Sequence, residues 1–299
     1  MIIDESSMLC PHLLLKLLKC INILRLIVVG DDNQLGSIDP GCLLKDLIQS
    51  NVLEICELRT IHRQGNGSAL AQKSHDILNG NAATWNTYSC DAFSLKLCTD
   101  PLTDAINQTK LLSQHEDVQL IVLTKKSACT ANIELQDTLN PCLPNTPQID
   151  RNGKAPWKPN DKIIATENYY DGGQLLVCNG SLGNLISIDM KKKKIKGLFD
   201  NIRRTFTYGT SEIDHSYALT LHKYQGSEID CVVFCLDYVP NMASKEAIYT
   251  ACTRGKKKVF IFSHENIWRI GCKKNENERN TRLAYYLEQQ NNKKNLVHK

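Results

Sequence analysis

The sequence lacks the long apolar runs and the basic leader that would assign it to a membrane or a secreted class of protein. No apolar stretch approaches the roughly 20 residues that a membrane-spanning helix needs. The first residues, MIIDE, include two acids and no basic segment of the kind that opens a signal peptide. We therefore expect an intracellular, soluble chain of the nucleus or cytoplasm, without a membrane partner.

The sequence also lacks the cysteine spacing of a metal site, although it contains 13 cysteines. No two of them are spaced as CxxC, and the closest pair, Cys231 and Cys235, lies in the strand-like run DCVVFCL. Zinc sites and disulfide frameworks need clustered ligands or paired spacings. We expect reduced thiols that pack in a core as small apolar side chains.

Charge is unevenly distributed along the chain. The net charge is +4, yet from residue 254 onward there are 12 Lys/Arg and 4 Asp/Glu, so residues 1–253 are net negative. A second basic run, MKKKKIKG, covers residues 190–197. Such runs are more often a solvated face than a ligand site, and nucleic-acid binding becomes the better explanation only when independent motifs support it. The abundance of cysteine, asparagine and lysine is compatible with an AT-rich or large viral genome.

Apolar runs that end in polar residues indicate an α/β fold. The run IIDE, the helix-like stretch HLLLKLLKCI and the run LRLIVVGDDNQ follow one another at the start of the chain. A continuous apolar strand is typical of a parallel sheet that is buried on both faces. Ligands of such sheets gather at the carboxyl ends of the strands, where the acids and amides lie here. The runs VQLIVLT, CVVFCL and KVFIFS predict further strands of the same kind.

A change of pattern in the middle of the chain predicts a separate module. Five prolines between residues 141 and 159 break the chain into loops, and residues 161–208 then form short strand-like pieces punctuated by glycine. The α/β pattern resumes with YALTLHKYQGSE. The predicted organisation is therefore an α/β remnant at residues 1–58, a connecting helical segment at 59–114, an α/β domain at 115–145 and 213–265, an all-β insertion at 146–212, and a polar tail at 266–299.

Individual polar motifs allow both an ordinary and a functional interpretation. Asp4 and Glu5 after a strand are either surface acids or a Mg²⁺ ligand with a water-activating carboxylate. The turn GDDNQL at residues 30–35 is either a plain βα loop or part of the same site. A single arginine, such as Arg63 or Arg254, is usually a surface charge, although its fork of donors also suits a phosphate. The segment LTLHKYQGSE is denser in polar groups than an ordinary strand-to-helix junction, and its donors suit phosphate contacts.

Six motifs, in order and spacing, resemble the later motifs of RecD-like superfamily 1 DNA helicases: IIDESSM, VVGDDNQLGSIDPG, LRTIHRQ, DGGQLLVCNGSLGNL, YALTLHKYQGSE and IYTACTRGKKKV. The resemblance covers residues 1 to about 265, and the HKxQGSE, YTAxTR and GDxxQL segments are specific. A related branch of superfamily 1 tends to have Leu-Thr after the QG pair, whereas this chain has Ser227 and Glu228. The resemblance implies P-loop NTPase RecA-like domains, the first incomplete and the second with a small β-barrel insertion.

The resemblance also implies roles for the matching residues at an ATP and Mg²⁺ site. Asp4 would coordinate Mg²⁺, Glu5 would activate the attacking water and Gln34 would sense the γ-phosphate. Two residues would be arginine fingers, Arg63 and Arg254. The nucleotide would be contacted by the QGSE turn at Gln225, Gly226 and Glu228.

A second implied site grips single-stranded DNA during 5′→3′ translocation. Its residues follow two strands of the second α/β domain: Thr124, Lys125, Thr220, His222 and Lys223.

The sequence departs from this family in one large respect, because it contains no GxxxxGK(S/T) loop and only three residues precede Asp4. Without the backbone nest and lysine that cradle the β- and γ-phosphates, ATP binding should be severely weakened. Three interpretations stay open. The chain is part of an ATP-dependent helicase completed by a polypeptide that carries the loop, a catalytically inactive remnant that binds nucleic acid, or a structural subunit of a replication or recombination complex.

Overall fold

The computed structural model describes residues 1–20, 22–58, 69–275 and 281–297, with side chains of the last segment up to residue 293. The helices are α1 (Pro11–Cys20), α2 (Leu43–Gln49), α3 (Ala69–Leu78), α4 (Pro101–Leu112), α5 (Lys125–Leu139), α6 (Leu221–Tyr224), α7 (Lys245–Arg254), α8 (Glu265–Gly271) and α9 (Leu283–Val297). The strands are β1 (Ile2–Ile3), β2 (Ile27–Val28), β3 (Tyr88–Ser89), β4 (Phe93–Leu97), β5 (Val118–Val122), β6 (Ile149–Arg151), β7 (Lys154–Trp157), β8 (Lys162–Ala165), β9 (Tyr169–Asp171), β10 (Gln174–Val177), β11 (Leu182–Asp189), β12 (Lys194–Phe199), β13 (Ile202–Thr207), β14 (Ile213–His215), β15 (Ala218–Thr220), β16 (Ile229–Leu236) and β17 (Gly255–Ser263).

The chain divides into two units. The first unit consists of Met1–Trp85, Pro240–Thr253 and Arg269–Lys299, and the second of Asn86–Val239 and Arg254–Trp268. The α/β character expected from the apolar runs is confirmed, and it is most complete in the second unit.

The second unit is built on a six-stranded sheet of order β15-β5-β16-β17-β4-β3, in which every neighbouring pair except β3 and β4 is parallel. The inner strand β5 is buried at all five residues, as a strand covered on both faces must be. Helices α4 and α5 pack against β5, so that Leu120, Val122, Leu135 and Val233 share one core. The apolar runs VQLIVLT, CVVFCL and KVFIFS therefore predict β5, β16 and β17 of this sheet correctly.

Two strands of this sheet lie where the sequence predicts a connecting helical segment. Within residues 59–114, α3 and α4 are helical, but β4 joins the sheet beside β17 and β3 pairs with β4 as a short antiparallel edge. The described part of this segment therefore contains the predicted helices and, in addition, two strands that the sequence does not predict. The strand FSLKL alternates apolar and polar residues over only five positions, with Phe93 and Leu95 buried, a short pattern that differs from the continuous apolar runs on which the sequence prediction rests. Its pairing with the nine-residue β17 stabilises it as a strand.

The all-β stretch inserted between α5 and β15 is a five-stranded antiparallel sheet of order β13-β12-β11-β8-β14, with β13 and β14 as its outer strands. The hairpins β6–β7 and β9–β10 flank it. Its core includes Trp157, Ile163, Leu185 and Phe206. The switch from long apolar strands to short glycine-punctuated ones thus marks a real β module. The sheet order is that of an open sheet, whereas the family resemblance implies a barrel.

The first unit contains a much smaller sheet. Strands β1 and β2 are parallel and two residues long, and Ile2 pairs with Ile27 while Ile3 pairs with Val28. Helix α1 follows β1 but buries none of its residues, and Leu13, Leu15 and Leu18 are each about half exposed. The strand–helix–strand order expected from the sequence is present, although the strands are far shorter than the apolar run suggests.

The end of the chain is more ordered than a polar tail. The sequence predicts one short helix around residues 281–288, whereas α9 extends over Leu283–Val297. Within the first unit α9 packs on α2, and the Thr281 hydroxyl donates to the carboxylate of the buried Asp46. The acceptor of this hydrogen bond is 235 positions away in the chain, so the sequence of the tail alone does not reveal the contact. In the described part of the chain, no helix combines the length and the apolar character that crossing a bilayer requires.

Candidate nucleotide and nucleic-acid sites

The acidic motif of the first unit lies at the carboxyl end of β1. Asp4 and Glu5 are both exposed, and the Asp4 carboxylate accepts a 2.8 Å hydrogen bond from the Glu5 backbone N–H. Glu5 has a left-handed backbone conformation with φ of 50°, which few residues other than glycine, asparagine and aspartate adopt readily. The turn therefore presents two carboxylates to solvent at a strand end.

Gly30 brings the end of β2 close to the end of β1. The Ser6 backbone N–H donates to the Val29 carbonyl at 3.0 Å, so the chain segments touch at this point. A Cβ at position 30 would collide with the Ser6 Oγ and would lie 2.9 Å from the Leu44 side chain. The glycine is needed for this close approach, which places the GDDNQL turn at the same edge of the sheet as Asp4.

Two sequence motifs that are more than 200 residues apart meet within the first unit. The Asp31 carboxylate accepts hydrogen bonds from the Gln34 amide at 3.2 Å and from the Tyr249 hydroxyl at 3.1 Å. The buried backbone N–H of Leu35 donates to the Thr250 hydroxyl at 2.7 Å. The GDDNQL turn is therefore held against α7 of the YTAxTR motif. The sequence predicts a role for Gln34 but none for Asp31. In the structure, the Asp31 carboxylate sets the orientation of the Gln34 side chain.

The remaining nucleotide-site residues that are described belong to the second unit. Arg254 is 1% exposed, and its Nη1 donates to the Ser227 carbonyl at 3.3 Å. Glu228 forms a 2.7 Å ion pair with Lys256. Gly226 has a φ of 79°, a left-handed conformation suited to glycine, so that the QGSE turn, which includes Gln225, can form. Burial of Tyr224 in the preceding turn, with Asp117 close by, raises the pKa of its phenol to about 12.

The structure brings Arg254 and the QGSE turn together, because α7 ends where β17 begins beside β16. Arg63 lies outside the described residues. The shared cleft of Asp4, Gln34, Arg63, Glu228 and Arg254 stays a prediction.

The predicted strand-binding residues of the second unit follow two adjacent parallel strands. Thr124 caps α5 after β5, accepting from the Ser127 backbone N–H at 3.1 Å, and Lys125 is the first residue of that helix. Thr220 ends β15, and His222 and Lys223 lie in α6 immediately after it. Since β5 and β15 pair in parallel, with Thr220 opposite Val122, these side chains lie at one edge of the sheet.

Lys223 is exposed as a residue, but partial desolvation of its ammonium lowers the pKa, and the neighbouring cations Lys125 and Lys154 lower it further while Asp214 opposes them. Lys125 and Lys223 are therefore close enough to interact, as their positions after neighbouring strands require. This edge is electropositive and presents exposed ammonium groups, which suits an anionic polymer.

Residues of the β module contribute to the same electropositive edge, and sequence reasoning missed them. Lys154 lies in the β6–β7 hairpin, 3.6 Å from the Asp214 carboxylate. Arg151 forms a 3.2 Å ion pair with that carboxylate and stacks 3.9 Å above the Trp157 ring. No local pattern indicates these roles, because Lys154 and Lys223 are 69 positions apart and are brought together only by the return of the chain from the β module.

A buried polar cluster, Asp161 and its partners, fixes the β module to α5. Asp161 is fully buried, and its carboxylate accepts from the Lys158 backbone N–H at 2.6 Å and from the Tyr217 hydroxyl at 3.0 Å. Two side-chain amides, one within α5 and one at the residue that caps its end, donate to the same carboxylate. A buried carboxylate is stable only when it is paired and hydrogen-bonded in this way. The contributing amides are those of Gln136 and Asn140.

His215 completes this cluster as a neutral imidazole. Its Nδ1 accepts from Arg151 at 2.9 Å, and its Nε2 therefore donates to Asp161 at 3.1 Å. Burial lowers the pKa of His215, although the Asp161 carboxylate opposes this shift, and the net direction is down. The pKa of Asp161 is also lowered, because hydrogen bonds from His215 and Gln136 outweigh the desolvation that alone would raise it. The cluster thus contains a carboxylate and a neutral histidine.

One family model matches the part of the chain that contains the first motifs, and another matches the part that contains the last motifs. Residues 1–92 match a model described as an AAA domain. Residues 215–262 match a model described as a UvrD-like helicase C-terminal domain. The second match covers β15, the HKYQGSE segment, β16 and α7.

Two curated relatives match most of the chain. The ATP-dependent RecD2 DNA helicase of Deinococcus radiodurans is 27% identical over 290 residues, which cover 95% of this chain and 39% of the relative. The RecBCD enzyme subunit RecD of Mycobacterium tuberculosis is 25% identical over 289 residues, which cover 88% of this chain and 49% of the relative. The chain therefore spans less than half the length of the curated relatives it matches here.

Solved structures support the fold. The Pif1 helicase from Bacteroides, in complex with ADP-AlF3 and ssDNA, superposes with a TM-score of 0.56 at 16% identity and covers 87% of this chain and 69% of that structure. A second Bacteroides Pif1 structure, bound to ssDNA, has a TM-score of 0.53 at 16% identity, with 89% of this chain and 71% of that structure covered. At this identity the likeness concerns the fold alone.

Proposed function

We propose, from the premise that this chain is a RecD-like superfamily 1 helicase in motif order and fold, that it works in an ATP-dependent 5′→3′ DNA helicase and holds single-stranded DNA on its second unit. The observation that carries the proposal is the convergence of Lys125, Lys223 and Lys154 at the carboxyl edge of β5 and β15. Exposed cations at strand-to-helix junctions contact a phosphate backbone irrespective of base sequence.

The side chains at the strand ends of the first unit fit a Mg²⁺–ATP site in their chemistry. Mg²⁺ prefers carboxylate oxygens and keeps several waters, and Asp4 offers an exposed carboxylate at the end of β1. Bound Mg²⁺–ATP supplies the phosphoryl group whose transfer to water drives translocation. In this proposal Asp4 would hold the metal, Glu5 would orient the water and accept its proton, and Gln34, held by Asp31, would contact the γ-phosphate.

The second unit supplies the groups that balance negative charge. Arg254 would contact the γ-phosphate as an arginine finger, together with Arg63, and the QGSE turn would hold the nucleotide sugar through Glu228, beside Gln225 and Gly226. For this role the Arg254 guanidinium has to exchange its hydrogen bond to the Ser227 carbonyl for one to phosphate.

The proposal includes a polypeptide segment that carries a GxxxxGK(S/T) loop, because the 299 residues contain no such loop. Exposed apolar residues of the first unit, including Leu15, Leu18 and Ile27, support the presence of such a segment against α1 and β2. Covering them would remove apolar surface from water, at roughly 25 cal/mol per Å².

A second candidate is a nucleic-acid-binding protein without hydrolysis, and two contacts favour it. Glu228 is engaged in an ion pair with Lys256, and Arg254 is buried against the Ser227 carbonyl, so both have protein partners already. Under this alternative the second unit binds single-stranded DNA as proposed, and the first unit contributes no chemistry.

The two candidates share a binding test. Single-stranded DNA affinity is measured as a function of salt for the chain and for the double variant Lys125→Ala/Lys223→Ala. Each lost phosphate contact lowers the salt slope by about 0.7 for single strands, so the double variant should lose about 1.4, for two unrelated base sequences alike. The matched control is Lys16→Ala/Lys19→Ala on the exposed face of α1. Equal slopes in the two variants would contradict the assigned strand site.

Hydrolysis separates the candidates. ATP turnover is measured with single-stranded DNA, for the chain alone and after addition of a polypeptide carrying the phosphate-binding loop. The helicase proposal expects DNA-stimulated turnover only in the mixture, and its loss by about 10²-fold or more in Glu5→Gln. Strand binding without turnover in either case selects the alternative.

A further inference from the structure

The basic run MKKKKIKG is the tip and one strand of an antiparallel hairpin. The turn at residues 190–193 joins β11 to β12, and Lys194 and Lys196 continue along β12 as exposed residues. Between them Ile195 is fully buried in the core of the β module. The period of two that defines a strand therefore separates an apolar inner face from a cationic outer face.

The neighbouring strand β13 extends this cationic face. Lys194 lies opposite Thr207, Lys196 opposite Thr205, and Leu198 opposite Arg203. Residues opposite each other in an antiparallel pair project to the same side, and the side chains of Arg203, Thr205 and Thr207 are exposed. We call the face formed by Lys194, Lys196, Arg203, Thr205 and Thr207, together with Lys191, Lys192 and Lys193 at the tip, the basic ribbon.

The charges of the basic ribbon are not neutralised within the protein. Among the described residues, none of its six cations forms an ion pair, in contrast to Lys256, Lys257 and Lys258 on β17, each of which has a carboxylate partner. Asp189 borders the ribbon, opposite Lys194. Its carboxylate accepts from the Lys192 backbone N–H at 2.9 Å and so helps to form the turn.

The tip is held in place rather than loosely attached. The Tyr208 hydroxyl donates to the Asp189 carbonyl at 3.0 Å, and Lys193 has a left-handed φ of 52° that closes the turn. A prearranged set of donors loses less conformational entropy on binding than a flexible tail with the same charge. The ribbon therefore differs from a solvated run of lysines.

The side chains of the ribbon suit a phosphate backbone and not bases. Lysine, arginine and threonine donate to phosphate oxygens, and same-face residues along a strand repeat every 6.8 Å or so. Readers of single strands stack bases on aromatic rings, whereas the described residues that share this face on β11, β12 and β13 include no aromatic side chain. Duplex DNA also presents one charge per roughly 1.7 Å of axis, about twice the linear density of one strand.

We propose that the basic ribbon is a binding surface for the phosphate backbone of double-stranded nucleic acid, separate from the single-strand site at Lys125 and Lys223. This inference rests on the proposed function in one respect, namely that the bound polyanion is a nucleic acid. It requires neither ATP nor hydrolysis. In a helicase, such a surface would hold the duplex ahead of or behind the strand being moved.

The test compares a 20-base-pair duplex with a single strand of the same length, using fluorescence anisotropy at several salt concentrations. The variant is Lys194→Gln/Lys196→Gln, and the matched control removes two equally exposed charges from α1, Lys16→Gln/Lys19→Gln. With a slope of about 0.9 per phosphate contact, the ribbon variant should lose about 1.8 in slope and on the order of 10- to 60-fold in duplex affinity at 0.1 M salt. Its single-strand affinity should change by less than about threefold, since the site at Lys125 and Lys223 supplies that binding.

The outcomes separate this proposal from the proposed function. Loss of duplex binding in the ribbon variant supports the ribbon proposal whatever the Lys125→Ala/Lys223→Ala variant does. If that second variant has no effect on single-strand binding, the result counts against the proposed strand site alone. A ribbon variant that behaves like the α1 control, or that loses single-strand affinity as strongly as duplex affinity, overturns the ribbon proposal. So does competition by polyglutamate as effective as that by duplex at equal charge, because the surface would then accept any acidic chain. An unchanged thermal unfolding midpoint of the variant verifies that its fold is intact.

Discussion

Residues 1–58 and the sheet of the second unit contain apolar runs of the same kind, yet they form very different amounts of structure. Strands β1 and β2 have two residues each and α1 buries none of its side chains, whereas β5 is buried at every residue and β16 at six of eight. Parallel strands are stable when other layers cover both faces and both edges. The difference shows that an apolar run specifies a tendency to form a buried strand. The neighbouring strands and helices determine whether that strand becomes part of a core.

The largest expected effect of this difference is on amide hydrogen exchange. Amides of β5 and β16 should exchange only through global unfolding, which for typical domains costs about 5–15 kcal/mol and slows exchange by a factor of roughly 10³ or more. Amides of β1, α1 and β2 should exchange close to the unprotected rate, because none of these three elements buries a residue. Exchange measured by mass spectrometry tests this, and uniformly slow exchange across residues 1–58 would remove the basis of the comparison.

A matched pair of leucine substitutions sharpens the comparison. Leu120 in β5 is 0% exposed and Leu15 in α1 is 50% exposed. Leu120→Ala should lower the free energy of unfolding by about 2–5 kcal/mol, since it removes a buried side chain and leaves a cavity. Leu15→Ala should change it by less than about 0.5 kcal/mol, as at other surface positions. Chemical denaturation followed by circular dichroism gives both values, and similar losses in the two variants would show that α1 is packed in solution.

The pH dependence of stability should originate in the second unit, at the Asp161 cluster. Because the pKa of folded His215 lies below its ordinary value of 6.5, the unfolded chain binds a proton first as pH falls. The free energy of unfolding should therefore decrease as pH falls from about 6.5 toward the folded pKa, and level off below it. Asp161, whose folded pKa is also lowered, adds a further loss only below its ordinary value of 3.8.

The variant His215→Gln tests this assignment. It retains a donor for Asp161 but cannot titrate, so the decrease that begins near pH 6.5 should become shallower, while the loss below pH 3.8 remains. The measurement is the free energy of unfolding at a series of pH values between 7 and 3. An unchanged profile would mean that another histidine, for instance one of the first unit, is responsible.

The smallest expected effect concerns Asp214, an acid beside Lys154 and Lys223. Asp214→Asn removes a negative charge that opposes phosphate binding. Single-strand affinity should therefore rise by a few-fold, the effect of releasing about one more counterion at 0.1 M salt. The same change at Asp104, which pairs with Lys96 elsewhere in the second unit, is the control. A decrease in affinity for Asp214→Asn would indicate that its role in fixing Arg151 outweighs its charge.

Much of the fold is predictable from sequence because its strongest elements are continuous apolar strands. VQLIV and CVVFCL are strands at the expected positions, and the glycine-punctuated stretch is the expected β module. FSLKL is not predictable in this way, because its strand state depends on pairing with β17. The extent of α9 is likewise set by packing on α2 rather than by its own polar sequence.

The residues of the candidate sites also divide into those that the sequence predicts and those that only the structure reveals. Motif order identifies Asp4, Gln34, Lys125 and Lys223, since each follows an apolar strand where a parallel sheet gathers its ligands. It does not identify Tyr249 as a partner of Asp31, because that hydrogen bond joins positions 218 residues apart.

The sequence by itself determines which segments are apolar, which strand ends carry acids and cations, and that a lysine run exists at residues 190–197. Only the tertiary structure decides that alternate lysines of that run share a face with Arg203, Thr205 and Thr207, and that Arg151 and Lys154 lie beside Asp214, which itself interacts with Lys223. The physical reason is that cross-strand register and the return of the chain from the β module set these distances, and both depend on contacts far apart in sequence.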